Sequence, residues 1–222
     1  MAKYTRIEVY QAMKATGVVP VFYHADIDVC KAVVKACYKG GILVFEFVNR
    51  GDFAHELFAE LNKYALSELP GMILGAGSLV EEGTTALYIQ NGANFIVSPL
   101  LNESMAKVCN RRKIMWSPGC GTISEINKAQ ELGAEVVKVF PASEVGGPSF
   151  IKAVKAPMPW TDIMPTGGVT CEKENLEGWF DAGVTCVGMG SNLFPKDIME
   201  TKDWDALEAK VKDLIDTIKS IK

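Results

Sequence analysis

The feature that most constrains this chain is a regular alternation. Short runs rich in Val, Ile and Phe are separated by longer stretches of helical periodicity, from one end of the sequence to the other. The runs are VVPVFYH (18–24), ILVFEFV (42–48), MILGAGS (72–78), FIVSP (95–99), KIMWSPG (113–119), VVKVFPA (136–142), DIMPTGG (162–168) and CVGMGSN (186–192). Between them lie helix patterns such as DIDVCKAVVKACYKGG, where Gly40 and Gly41 stop the helix, and HELFAELNKYALSE. TRIEVYQAMKATG precedes the first run, and WDALEAKVKDLIDTIKSIK closes the chain. Near-continuous apolar strands joined by helices belong to a parallel sheet covered on its faces. Eight such units in 222 residues predict a (β/α)8 TIM barrel with an extra N-terminal helix, with a six-stranded open sheet as the alternative. No G-x-G-x-x-G opens a helix after the first strand, which removes the main support for a dinucleotide-binding fold. Without a linker or low-complexity segment, residues 1–222 read as one domain.

Composition narrows the function classes. A chain that is 48% apolar can fill one large core, and a net charge of -4 gives no electrostatic basis for binding nucleic acid or an anionic membrane surface. No apolar run reaches the length of a membrane span, and the start MAKYTRIEVYQ lacks the apolar stretch of a secretion signal, so a cytoplasmic protein is expected. Cys30, Cys37, Cys109, Cys120, Cys171 and Cys186 form no C-x-x-C pair, and only His24 and His55 are available to join them. Free thiols packed as small hydrophobes are expected, with no metal site.

Lys138 is the anomaly in VVKVFPA, because stripping an ammonium group of water costs several kcal/mol. In a barrel, alternate strand residues point inward and functional groups collect at the carboxyl ends of the strands. Lys138 shares a face with Val136 and Phe140, so it can point into the barrel mouth. Glu46 and Arg50 have the same parity if the second strand runs that far. On spacing alone two readings stay open: Lys138 as half of a buried ion pair with Glu46, or as a group lining a ligand cavity. Arg50 could merely meet solvent, and the glycines could be turn residues only. PTGGV and GMGSN, with Gly167, Gly168, Gly190 and Ser191, lie after the seventh and eighth strands. Barrels commonly build a phosphate site there from glycine amides, which favours ligand binding.

Taken together, GVVPVF, the Glu46-x-x-x-Arg50 spacing, LGAGSL around Ser78, FIVSP to Pro99, SPGCGTISE, VVKVFPA and PTGGV resemble the 2-keto-3-deoxy-6-phosphogluconate aldolases, a family that includes 4-hydroxy-2-oxoglutarate aldolases. The likeness covers nearly the whole chain. It implies a class I aldolase that works through a Schiff base with no metal or cofactor, on a small-molecule 2-keto acid, commonly as a homotrimer. Lys138 matches the family's Schiff-base lysine and Glu46 its proton-transfer carboxylate. Arg50 and Ser78 match the groups that hold the pyruvyl carboxylate, Pro99 and Phe140 the pocket walls, and Gly167, Gly168, Gly190 and Ser191 the phosphate site. The implied reaction cleaves a 2-keto-3-deoxy-6-phospho sugar acid to pyruvate and glyceraldehyde 3-phosphate, with 4-hydroxy-2-oxoglutarate as a further substrate.

These roles have a physical basis. An amine attacks a ketone only when neutral, which apolar burial favours; a carboxylate can move the protons; and a guanidinium fork fits a carboxylate. Ser78 replaces a threonine common in the family, Leu100 follows Pro99 where glycine is frequent, and Tyr23 and His24 stand where many members carry arginine. Two competing readings remain: a phosphate-binding isomerase or decarboxylase in which Lys138 acts only electrostatically, and a non-catalytic sugar-phosphate binder. Lys138, Glu46 and Arg50 occurring together speak against the binder.

Overall fold

The computed structural model describes residues 2–222. In chain order the elements are α1 (Arg6–Thr16), β1 (Val18–Phe22), α2 (Ile27–Lys39), β2 (Val44–Val48), α3 (Ala54–Glu68), β3 (Ile73–Gly77), α4 (Glu82–Gln90), β4 (Phe95–Val97), α5 (Glu103–Arg112), β5 (Met115–Ser117), β6 (Gly119–Cys120), α6 (Ile123–Glu131), β7 (Val137–Val139), α7 (Gly147–Lys155), β8 (Ile163–Pro165), α8 (Lys173–Asp181), β9 (Val187–Met189), α9 (Lys196–Thr201) and α10 (Trp204–Ile221). Local chemistry sets many of these limits. Helix α1 starts at a capping box between Thr5 and Glu8 and ends at Gly17, whose φ of 78° suits glycine. Pro118 has no N–H to give a ladder, and it splits the expected fifth strand into β5 and β6.

That split corrects the expectation of one unbroken eight-stranded ladder. The strands form a six-stranded sheet, β5-β4-β3-β2-β1-β9, and a three-stranded sheet, β6-β7-β8. All the pairings are parallel. An isolated parallel bridge between Thr166 and Gly188 and a bond from Thr185 N to Ile163 O (2.9 Å) link the two at β8 and β9. The architecture is α/β, with a curled parallel sheet and helices outside it. Every strand is shorter than its apolar run, which extends beyond the strand limits into the flanking loops.

The concave side is filled from below. Val19, Val44, Ile73, Met115, Val136 and Met164 form an apolar layer near the amino ends of the strands, and Val9 and Met13 of α1 pack into it fully buried. Each such side chain contributes about 1.5–3 kcal/mol by leaving water. With that end closed, only the carboxyl ends of the strands remain for a site. Tyr10 Oη donates to Asp162 Oδ2 (2.9 Å) and Thr185 Oγ1 to Asp162 Oδ1 (2.6 Å), which pins α1 to the strands it covers.

Candidate active site

Strand register places the two charged residues of interest. Lys138 lies between Gly119 and Met164, and Glu46 between Val21 and Gly75. Val44 and Val136, two residues before Glu46 and Lys138, belong to the apolar layer, so both charged side chains stand one pleat above it. Lys138 is 5% exposed and Glu46 only 1%. Burying two charges is expensive unless pairing and hydrogen bonds offset the loss of water.

Neighbouring residues shape that pair. A Cβ at Gly77 would overlap the Glu46 carboxylate, so glycine is what allows the carboxylate to lie over β3. Glu46 Oε2 is buried without a hydrogen-bond partner. Burial raises the Glu46 carboxyl above its ordinary value; Lys138 and then Arg50 oppose the shift without cancelling it. Lys138 Nζ stands 5.1 Å from the centroid of the Phe140 ring. Phe140 is 37% exposed, so it forms a rim over the lysine.

The remaining expected residues occupy the adjoining strand ends. β2 stops at Val48, so strand alternation does not reach Arg50, which lies exposed in the following loop, turned by a bond from its N–H to Val48 O (2.9 Å). Its charge nevertheless acts on Glu46. Ser78 follows β3 in a left-handed conformation, φ 58°, that non-glycine residues rarely adopt. Pro99 is half-buried after β4, and its carbonyl lies so close to Gly119 that a side chain there would collide with it. Neither Ser78 nor Pro99 touches Lys138 through a hydrogen bond.

Gly167 (φ 99°) and Gly168 (φ 78°) turn the chain after β8 through conformations open to glycine. That turn is held from outside. Asn175 accepts from Thr170 N (2.9 Å) and donates to Gly168 O (3.1 Å), while Asn192 donates to Val169 O (2.7 Å). Gly190 and Ser191 open a turn after β9, accepting from Leu193 N (2.9 Å) and Phe194 N (3.1 Å), with Ser191 exposed. The two turns are thus fixed next to each other, rather than loose.

Four residues here escaped the sequence reading. Ser117 and Thr166 are buried on the concave side with hydroxyls that have no partner, and a Cβ at Gly188 would overlap Thr166 Oγ1. Strand parity could have found both, since Ser117 lies two residues before Gly119 and Thr166 two after Met164. Asn175 and Asn192 carried no signal, because asparagine in loops is commonplace. At the first strand end, Tyr23 packs edge-on against Phe47 with ring centroids 5.7 Å apart, and exposed His24 accepts from Asp26 N (3.0 Å).

A parallel α/β sheet plugged at one end, with polar groups gathered at its carboxyl ends, is the class of enzyme that works on a small molecule at those ends. Comparison with known proteins makes the class specific. The family described as KDPG and KHG aldolase matches residues 9–210, and the chain belongs to it. It is a lyase of the aldolase type. A 2-dehydro-3-deoxy-phosphogluconate aldolase of Pseudoalteromonas atlantica is 31% identical over 97% of this chain and 97% of its own. A KHG/KDPG aldolase of Escherichia coli K12 is 29% identical over 94% of this chain and 96% of its own. Among solved structures, the KDPG aldolase of Legionella pneumophila, with pyruvate captured as a covalent carbinolamine intermediate, superposes with a TM-score of 0.84. That protein is 25% identical, over 93% of this chain and 97% of its own.

Proposed function

We propose that this chain is a class I aldolase that cleaves a 2-keto-3-deoxy-6-phospho sugar acid to pyruvate and glyceraldehyde 3-phosphate through a Schiff base on Lys138, and that it also accepts 4-hydroxy-2-oxoglutarate. The observation that carries this reading is the buried Lys138 beside a buried Glu46 whose Oε2 has no partner among the described residues. Lys138 Nζ attacks the C2 ketone, and loss of water from the carbinolamine gives an iminium. Glu46 takes the proton of the C4 hydroxyl, the C3–C4 bond breaks toward the iminium, and the aldehyde leaves. The enamine is reprotonated at C3 and hydrolysed to pyruvate, freeing the lysine. An upward-shifted carboxyl suits this work, because it holds a proton more readily than an exposed carboxylate does and so can take one up and return it.

In this reading Arg50 holds the pyruvyl carboxylate with Ser78, Pro99 and Phe140 wall the pocket, and the amides of Gly167, Gly168 and Gly190 with Ser191 receive the phosphate. No metal or cofactor enters these steps. The two sheets, joined at Pro118 and at the Thr166–Gly188 bridge, are read as one (β/α)8 barrel in a single domain over residues 1–222. A homotrimer in the cytoplasm completes the proposal. The chain's helices agree with a location in aqueous solution to this extent: among the described residues none is long and apolar enough to cross a membrane.

Pyruvate release from the phosphorylated and unphosphorylated substrates tests the assignment. A higher kcat/KM for the phosphorylated acid, with both activities lost in Lys138→Arg, is expected, since a guanidinium stays protonated and cannot form the imine. Substantial turnover by that variant would count against the Schiff base and in favour of a lysine acting only through its charge.

A further inference from the structure

Arg50 is exposed, so side-chain packing does little to fix it, and its aim depends on the loop that carries it. That loop is unusual. Gly51 has a φ of 87°, Phe53 is non-glycine at φ 60°, and as the N-cap of α3 Phe53 supplies no side-chain cap. Backbone of this kind persists only where surrounding contacts impose it.

The contacts come from the residues on either side of Arg50. Asn49 donates its backbone N–H to Gly77 O (2.9 Å), the same glycine that accommodates Glu46. Asn49 Oδ1 accepts from Tyr88 Oη (2.9 Å), across 39 positions of sequence. Tyr88, in α4, is fully buried, and its ring lies 5.2 Å from Phe58. A core position that needs only volume is served by phenylalanine; tyrosine brings a buried donor that must be satisfied. Here its partner is the residue before Arg50. On the other side, a Cβ at Gly51 would lie 2.9 Å from Tyr23 Oη, so Tyr23 covers the residue after Arg50.

We propose that the Tyr88–Asn49 hydrogen bond is a positioning device, which holds the loop so that Arg50 meets the carboxylate of a 2-keto acid. This rests on the reading of Arg50 as the carboxylate-binding group. Tyr88 touches no reacting atom. It acts through Asn49, and its loss weakens carboxylate recognition while leaving the chemistry of Lys138 and Glu46 in place.

The test is the pyruvate concentration that half-saturates borohydride trapping on Lys138, measured in Tyr88→Phe beside the unchanged protein. Tyr88→Phe keeps the ring and removes only the donor. A rise of about three- to tenfold is expected, the size of one lost hydrogen bond, with the same maximal labelling. Asn49→Ala breaks the bond from the loop side, should the core change impair folding, and the same rise is expected. In an Arg50→Ala background, Tyr88→Phe is expected to add nothing, because the two lie on one path. An unchanged half-saturation in both single variants, or the same rise without Arg50, overturns the proposal and leaves the Schiff-base reading standing. No trapping in the unchanged protein removes that reading, and this one with it.

Discussion

Lys138 and Glu46 owe their interest to what their neighbours deny them. Each stands above an apolar layer, out of water, and Glu46 keeps an oxygen with no partner among the described residues. In the proposed mechanism Glu46 moves protons, so Glu46→Gln should lower kcat by about a hundredfold to ten-thousandfold while pyruvate binding changes far less. An unchanged kcat would take Glu46 out of the mechanism. The same residue makes a pH prediction. Its carboxyl is raised from 4.5 by burial, so its contribution to stability is fully present below that value and is lost as pH rises through the raised value in the folded protein. Thermal melts of Glu46→Gln and the unchanged protein should therefore diverge as pH rises above 4.5, with the variant gaining relative stability; a constant difference would mean that the carboxyl is not raised. Lys138 was legible in the sequence, because one ammonium in an apolar strand breaks the pattern. Thr166 and Ser117 could be placed by parity but not marked out by it, because a hydroxyl in a strand is too ordinary to stand out until its lack of a partner is seen.

At the level of elements, the strands and their order were readable from apolar runs and helix stops, whereas their ends were not. Apolar residues such as Ala142 remain buried beyond the last residue of β7, so hydrophobicity alone overstates strand length. Pro118 was visible in SPG, yet its effect of moving the chain from one sheet to the other depends on which neighbours each half finds. Arg50 shows the same limit: its parity with Glu46 holds only along a strand, and β2 stops at Val48. The close approach of β3 to Glu46 gives an element-scale prediction. Gly77→Ala places a methyl where the carboxylate lies, and a carboxylate displaced by about 1 Å should slow turnover by roughly a hundredfold. Circular dichroism should show the fold retained; full activity in the variant would mean that the carboxylate has room to relocate.

At the scale of the whole molecule, α1 makes the site one-sided by closing the amino ends of the strands. Met13→Ala should destabilise the protein by about 2–5 kcal/mol, read by denaturant unfolding, with kcat at permissive temperature little changed. A loss of activity in the folded variant would mean that the plug also shapes the site. The eight-unit alternation was enough to predict a parallel α/β fold, but the division into two sheets at Pro118 and their link at the Thr166–Gly188 bridge are features that no periodicity reveals. Assembly belongs to this scale too. Sedimentation equilibrium should find three times the 24.2 kDa chain mass, and a monomer would contradict the proposed trimer. The central claim, that Lys138 is buried so that it can be a nucleophile, is tested most directly by borohydride reduction with pyruvate followed by peptide mass mapping. The account predicts a stable pyruvyl adduct on Lys138. An unmodified lysine, under conditions that label a known class I aldolase, would contradict it.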